Sequence, residues 1–272
     1  MKFLVTNDDG SFAPGLEALV EVLLHFGEVH VVCPDQENSA VSHSITLNEP
    51  VKAAKMSLFG PNVPTWAING TPADCVKLGL DILIEEPPDF VISGINLGPN
   101  LGRDVHYSGT MAAASEAALY GIPSISVSLD RLSSHNTNFQ YPKRFLYEVL
   151  ETLLANQIPK GVFVNINLPY IGKEACRGVR VVPLDLSVKR YSYVGLNDAD
   201  GYVYYWLKDN LLQLTDFTKE SDFSSLKEGY ITITPLEGKA CHTKHIQKFE
   251  KWFRQSAGTY KLREFYSEVE FR

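Results

Sequence analysis

Asp8 and Asp9 stand side by side in Thr6-Asn7-Asp8-Asp9-Gly10, directly after the apolar run Phe3-Leu4-Val5. Two adjacent like charges repel, and burial makes the repulsion worse. In open α/β sheets ligands bind at the carboxyl ends of the strands, where this pair is expected to sit. A bound divalent cation would relieve the conflict, so the pair reads as part of a metal site. Alone, Asp-Asp-Gly is more often a turn, and a metal role needs further donors. Two other polar loops offer them: residues 35–43 carry Asn38 and Ser39, and residues 94–110 carry Asn96, Asn100, Ser108 and Thr110. Such hard oxygen donors suit Mg²⁺ or Mn²⁺ over zinc. Glycines in the third loop and a helix opening at Ser108-Gly109-Thr110 would add backbone N–H groups and a positive dipole end for a phosphate. Metal plus phosphate-binding backbone implies phosphoryl transfer or hydrolysis.

Each residue also has a plainer reading. Ser39 in a polar loop is commonly a solvated turn residue, Asn96 among glycines can serve only a turn, and Ser108 can be only a helix cap. Arg103 and His106 read as surface residues. The chemical reading rests on convergence of three loops at one sheet edge.

The elements that must position these loops follow from hydrophobic periodicity. Residues 3–6 and 29–33 read as buried strands. Between them Pro14 opens a helix through Leu16, Leu19, Val20, Leu23 and Leu24. Residues 45–68 alternate loosely and are expected as an excursion from the sheet. Thr71-Pro72-Ala73-Asp74 is a helix start with a cap, a first-turn proline and an acidic residue at the positive end, and that helix should run to Leu83. Residues 90–92, 124–127 and 162–166 read as further strands, with helices at 111–119 and 145–154. This alternation predicts an α/β, Rossmann-like, doubly wound and mostly parallel sheet. Residues 1–185 form the expected catalytic core. Residues 186–236 are β-rich and dense in tyrosine, an extension expected to serve oligomerisation. Residues 237–272 form a charged tail with a helical stripe at Ile246, Phe249, Trp252 and Phe253.

The chain has 272 residues and a net charge of −7, which argues against a broad nucleic-acid interface, since that needs a basic face. Cys33, Cys75, Cys176 and Cys241 fall in no Cys-x-x-Cys spacing, so a zinc ribbon is not expected. No apolar stretch approaches the ~20 residues of a membrane span, and the N-terminus opens into a strand without a signal peptide. A cytoplasmic enzyme without a membrane partner is the expectation.

The motifs resemble those of the SurE (survival protein E) nucleotidases. The likeness is carried by residues 3–10 with Ala13-Pro14-Gly15, Pro34-Asp35…Asn38-Ser39, Gly70-Thr71-Pro72-Ala73-Asp74-Cys75-Val76, Ser93-Gly94-Ile95-Asn96…Asn100-Leu101-Gly102 and Tyr107-Ser108-Gly109-Thr110. Tyr204-Tyr205-Trp206 and residues 229–236 extend it. The resemblance implies metal-dependent hydrolysis of nucleoside 5′- and 3′-monophosphates, with short polyphosphate as a further substrate. It implies one divalent cation per subunit on Asp8, Asp9, Ser39 and Asn96, with Mg²⁺ or Mn²⁺ first and Co²⁺ as a further option. It places phosphate at Ser108, Gly109 and Thr110, beside Asn38 and Asn100, and implies a homodimer or homotetramer. Residues 35–42 depart from the pattern, since many members carry arginine and a small Gly-Ala pair there; the departure bears on substrate preference and leaves the metal reading intact.

Three rivals remain on the residues alone. A receiver-type signalling module has an acidic pair after its first strand but needs a second-site aspartate and a lysine, where this chain offers Gly70 and Gly94. A haloacid-dehalogenase-type phosphatase needs Asp-x-Asp. A non-catalytic metal- and nucleotide-binding protein would hold the ligand and release no phosphate.

Overall fold

Lys2–Thr6 forms β1, and four of its five side chains, Phe3, Leu4, Val5 and Thr6, are completely buried. Burial on both faces is what a central parallel strand requires. In this computed structural model the described residues are 1–131, 137–214, 217, 219–239 and 243–253. Cys241 and His242 lie outside them, as do residues 254–272.

Pro14–Leu23 forms α1 with proline in its first turn, and Leu16, Leu19 and Leu23 are buried on one stripe. Burying each such leucine contributes roughly 1.5–3 kcal/mol. Glu28–Pro34 forms β2, parallel to β1. Ala53–Met56 and Thr65–Ile68 form β3 and β4. They are not an excursion: β4 pairs in parallel with β2, and β3 closes that edge antiparallel to β4. The strands are only four residues long, which left their alternation too short to read as sheet.

Pro72–Leu78 forms α2, opened by a reciprocal capping box between Thr71 and Asp74. The α-helix ends sooner than its periodicity suggested, passing at Gly79 into one wider turn over Gly79–Leu83. Phe90–Leu97 forms β5. It is longer than the expected 90–92: after a bulge between Ser93 and Asn96 the ladder resumes, with Asn96 opposite Ser128 and Leu97 opposite Leu129. The sequence Ser-Gly-Ile-Asn reads as loop because the bulge breaks the two-residue period.

Gly109–Leu119 forms α3, whose alanines 112, 113, 114, 117 and 118 let it lie close on the sheet. Ser124–Leu129, Gln140–Leu154 and Val162–Leu168 form β6, α4 and β7. Val179–Val181 forms β8, Tyr191–Asn197 and Val203–Asp209 form β9 and β10, Asp222–Lys227 forms α5, and Ile231–Glu237 forms β11. The main sheet has the order β3-β4-β2-β1-β5-β6-β7-β11-β8. α1 and α4 pack with one face of it, and α2 and α3 with the other. The β-rich segment therefore divides. β11 returns into the main sheet, antiparallel to β7 and parallel to β8, whereas β9 and β10 pair only with each other.

The chain separates into two units, Met1–Gly238 and Lys239–Arg272. The second is described over α6, Thr243–Phe253, where Ile246, Phe249 and Trp252 are exposed and the Phe249 and Trp252 rings lie 4.4 Å apart. Among the described residues no helix is long and apolar enough to cross a membrane.

Candidate active site

The strand order places β1 between β2 and β5, with the chain crossing to opposite faces on either side. That makes the carboxyl ends of β1 and β5 a topological switch point, where open α/β sheets form a crevice. Asp8 and Asp9 follow β1, Asn38 and Ser39 follow β2, and Asn96 lies near the end of β5. Asn7 Nδ2 donates to Gly10 O at 2.9 Å, and Gly10 has φ +95°, so the chain leaves the strand at the pair.

Asp8 is buried and braced from α3. Thr110 Oγ1 donates to Asp8 Oδ1 at 2.5 Å, and Thr110 N–H donates to Asp8 Oδ2 at 3.1 Å. Gly109 makes this approach possible, since a Cβ there would stand 2.9 Å from Asp8 Cβ and from Pro72 Cγ. Ser108 caps α3, its Oγ accepting from Met111 N–H at 3.3 Å. Burial pushes the Asp8 carboxyl up, and the two Thr110 bonds oppose it. Asp9 accepts from Leu97 N–H at 3.3 Å. Its pKa is pushed up to about 7, chiefly by burial and then by the charge of Asp8. The protein thus holds two carboxylates where neither ionises at its usual value, with the Glu37 charge adding to the strain on both.

A divalent cation fits this donor set. The carboxylates need a positive partner, and the neighbouring side chains are neutral oxygens of the kind Mg²⁺ and Mn²⁺ accept. Asn96 Nδ2 donates to Gly98 O at 2.7 Å, leaving its Oδ1 as the donor atom for a cation. Ser39 is exposed, and its hydroxyl donates to Glu37 Oε1 at 2.6 Å. Asn38 N–H donates to Asp8 O at 2.7 Å, tying this loop to β1. Among the described residues no three or more His, Cys, Asp or Glu side chains group as a metal site, so a cation here draws on the serine and the amide.

Farther along the same loop, Ser42 N–H and Oγ donate to Tyr107 O and His106 O at 2.9 and 2.7 Å. His43 pairs with Glu116 at 2.8 Å, and Asp74 accepts from Thr46 N–H and Oγ1. The hydrogen bond from His43 holds the Glu116 carboxyl below its usual range.

These elements enclose a cleft of about 170 Å³. Of the sequence-predicted residues, Asp8, Ser39, Asn96, Asn100 and Ser108 line it. Asp9, Asn38, Gly109 and Thr110 stand outside the lining. Thr110 spends both of its donors on Asp8. Asn100 is fixed by buried polar residues of β6 and β7: Asn100 Nδ2 donates to Ser128 Oγ, Asn100 N–H to Asn167 Oδ1, and Asn165 Nδ2 to Asn100 O.

Asp104, Tyr107, Arg190 and Tyr191 also line the cleft, and none was singled out from the sequence as a site residue. Arg190 is buried; its Nε and Nη2 donate to the two Asp209 oxygens at 2.9 and 2.6 Å, and its Nη1 donates to Asp104 Oδ2 at 2.5 Å. Burial disfavours its charge, but the two carboxylates outweigh burial and hold the guanidinium protonated. One signal is present in the sequence: opposite charges, Arg190 and Asp209, flank a tyrosine-dense stretch.

The family model described as Survival protein SurE matches residues 3–190. The 5′-nucleotidase SurE of Gloeobacter violaceus is 41% identical over 265 residues, covering 95% of this chain and all of that protein. The 5′-nucleotidase SurE of Desulfatibacillum aliphaticivorans is 40% identical over 252 residues, covering 93% of this chain and 98% of that protein. The crystal structure of the SurE protein from Aquifex aeolicus superposes with a TM-score of 0.80 at 34% identity, covering 93% of this chain and 99% of that one. The chain belongs to the survival protein SurE family.

Proposed function

We propose that this chain is a 5′-nucleotidase, a divalent-metal-dependent phosphomonoesterase that converts nucleoside 5′- and 3′-monophosphates to nucleoside and phosphate, with short polyphosphate as a further substrate. The observation that carries the reading is the braced carboxylate pair at the β1–β5 switch point, with neutral oxygen donors beside it and relatives named 5′-nucleotidase over nearly the full chain.

Asp8, Asp9, Ser39 and Asn96 would hold the cation, Mg²⁺ or Mn²⁺ by their oxygen chemistry and Co²⁺ as a further candidate. When bound, the cation supplies charge neutralisation and Lewis acidity toward the phosphate. Thr110 aims Asp8 by two hydrogen bonds that favour its ionised form against burial. Leu97 N–H acts in the same direction on Asp9. Asn38, Asn100, Ser108 and Gly109 flank the phosphate, where the positive end of α3 favours an anion. With both carboxylates committed as ligands, water is the attacking group. The reading places the enzyme in the cytoplasm.

The same reading makes the protein a homodimer or homotetramer built through β9 and β10. Both faces of that hairpin are apolar: Val194, Leu196, Tyr204 and Trp206 on one, Tyr193, Tyr205 and Leu207 on the other, all exposed. A two-stranded sheet alone is marginal in water, and exposed apolar area of this kind marks an interface.

Phosphate release from a nucleotide panel with Mg²⁺, Mn²⁺, Co²⁺ or chelator tests the activity. Metal-dependent release from monophosphates is expected. A protein that binds 5′-AMP with metal and releases nothing would instead be the non-catalytic binder.

A further inference from the structure

Arg190 joins four separate pieces of chain. It stands directly before β9, and its guanidinium grips Asp209 at the end of β10 through two parallel bonds. The same group reaches Asp104 in the 3-10 segment Gly102–His106, and Pro99 O in the loop after β5 at 3.2 Å. Asn210 N–H and Nδ2 close on Arg190 O at 2.9 and 3.1 Å. The base of the exposed hairpin is thereby fastened to the wall of the cleft.

The lining of the cleft has two chemical parts. Asp8, Ser39, Asn96 and Ser108 offer oxygens suited to a metal and a phosphate. Tyr107 and Tyr191 bring aromatic side chains to the lining, and aromatic rings suit a nucleobase because every base has a stacking face. Arg190 itself is unsuited to grip the phosphate, since two carboxylates already compensate its charge. Its guanidinium carbon lies 5.1 Å from the Tyr191 ring centroid, close enough to set where that ring stands.

We propose that Arg190 is a positioning residue that makes the aromatic, nucleoside-facing wall of the cleft part of the base of the β9–β10 arm. The inference rests on the nucleotidase reading and adds to it how the nucleoside is selected. Loosening the Arg190–Asp209 link displaces Tyr191 and weakens capture of the nucleoside, while the carboxylate pair, held by Thr110 and Leu97, continues to work on the phosphate.

Steady-state kinetics on 5′-AMP and on ribose 5-phosphate, which lacks a base, separate the two parts. Asp209 is partly exposed, so Asp209→Asn tests the link with the smaller risk to folding. The expected result is a KM for 5′-AMP raised about five- to tenfold with kcat within about twofold, and a KM for ribose 5-phosphate unchanged. Asp209→Glu, which keeps the carboxylate, should fall between. Arg190→Met should show a larger rise in KM for 5′-AMP, accompanied by a lower Tm, because the buried Asp104 then loses its cationic partner. Equal effects on both substrates, or no effect of Asp209→Asn on either, would overturn the proposal. Failure of the wild-type chain to hydrolyse 5′-AMP at all would overturn the nucleotidase reading and this inference with it, a result distinguishable from the other two.

Discussion

The carboxyl ends of β1 and β5 and the β9–β10 arm both carry side chains of strong chemical character, but they are held in opposite ways. Asp8 is 4% exposed and bonded twice to α3, and Asp9 is bonded to β5. Every residue of β9 and β10 is exposed, and the arm is fastened at its base through Arg190 and Asn210. The first region is organised by packing within the chain, which places charges accurately but raises the energy of unpaired ones. The second leaves large apolar surface uncovered, which the proposed assembly would cover. On the proposed reading, catalytic geometry and assembly thus belong to separate regions, meeting at Arg190.

Breaking the braced region should have the largest effect. Asp8→Asn removes a carboxylate that the reading commits to the cation; phosphate release from 5′-AMP should fall by well over the 10–100-fold typical of supporting residues, with the circular dichroism spectrum retained. Gly109→Ala puts a methyl against Asp8 and Pro72 and should lower stability by about 1–3 kcal/mol, read as the denaturant midpoint, together with activity. Thr110→Val keeps the shape of the side chain and the backbone bond but deletes the hydroxyl donor to Asp8. A hydrogen bond to a charged group contributes about 1.5–3 kcal/mol, so kcat/KM should drop by about tenfold or more. If Thr110→Val were silent, the bracing of Asp8 would be incidental.

Changes in the arm should leave chemistry alone and move assembly. Replacing Trp206 and Tyr205, on opposite faces of β10, by serine should shift the protein to a smaller species in light scattering, with the Tm of the core nearly unchanged. A smaller effect is expected at Glu116, which ties the Ser39 loop to α3 through His43. Its carboxyl is depressed in the fold, so the stabilisation it gives is present above its ordinary pKa of 4.5 and is lost as pH falls through its lower folded value. Glu116→Gln should therefore lower the Tm by a few degrees at pH 7, and the gap from wild type should close toward pH 3.

The braced region was also the more legible in the sequence. Phe3-Leu4-Val5 before Asp8-Asp9 marks a buried strand ending in charge, and Thr71 and Asp74 mark a helix start by local rules that the capping box obeys. Asn96 is legible as a residue type but reads as loop, because a bulge hides the end of β5. The return of β11 between β7 and β8 depends on pairings across more than fifty residues, which no local pattern encodes. Arg190 was missed for a related reason: a lone arginine before a tyrosine-rich strand gains meaning only when Asp104 and Asp209 close on it. Residue types signal chemistry when they cluster along the chain, and fail to when folding alone assembles the cluster.

The most direct measurement is phosphate release from 5′-AMP by the wild-type chain with Mn²⁺, repeated with excess EDTA and with Asp8→Asn. The account predicts release that EDTA abolishes, that added Mn²⁺ restores, and that Asp8→Asn lacks at any metal concentration. Near-wild-type turnover in EDTA, or in Asp8→Asn, would contradict it.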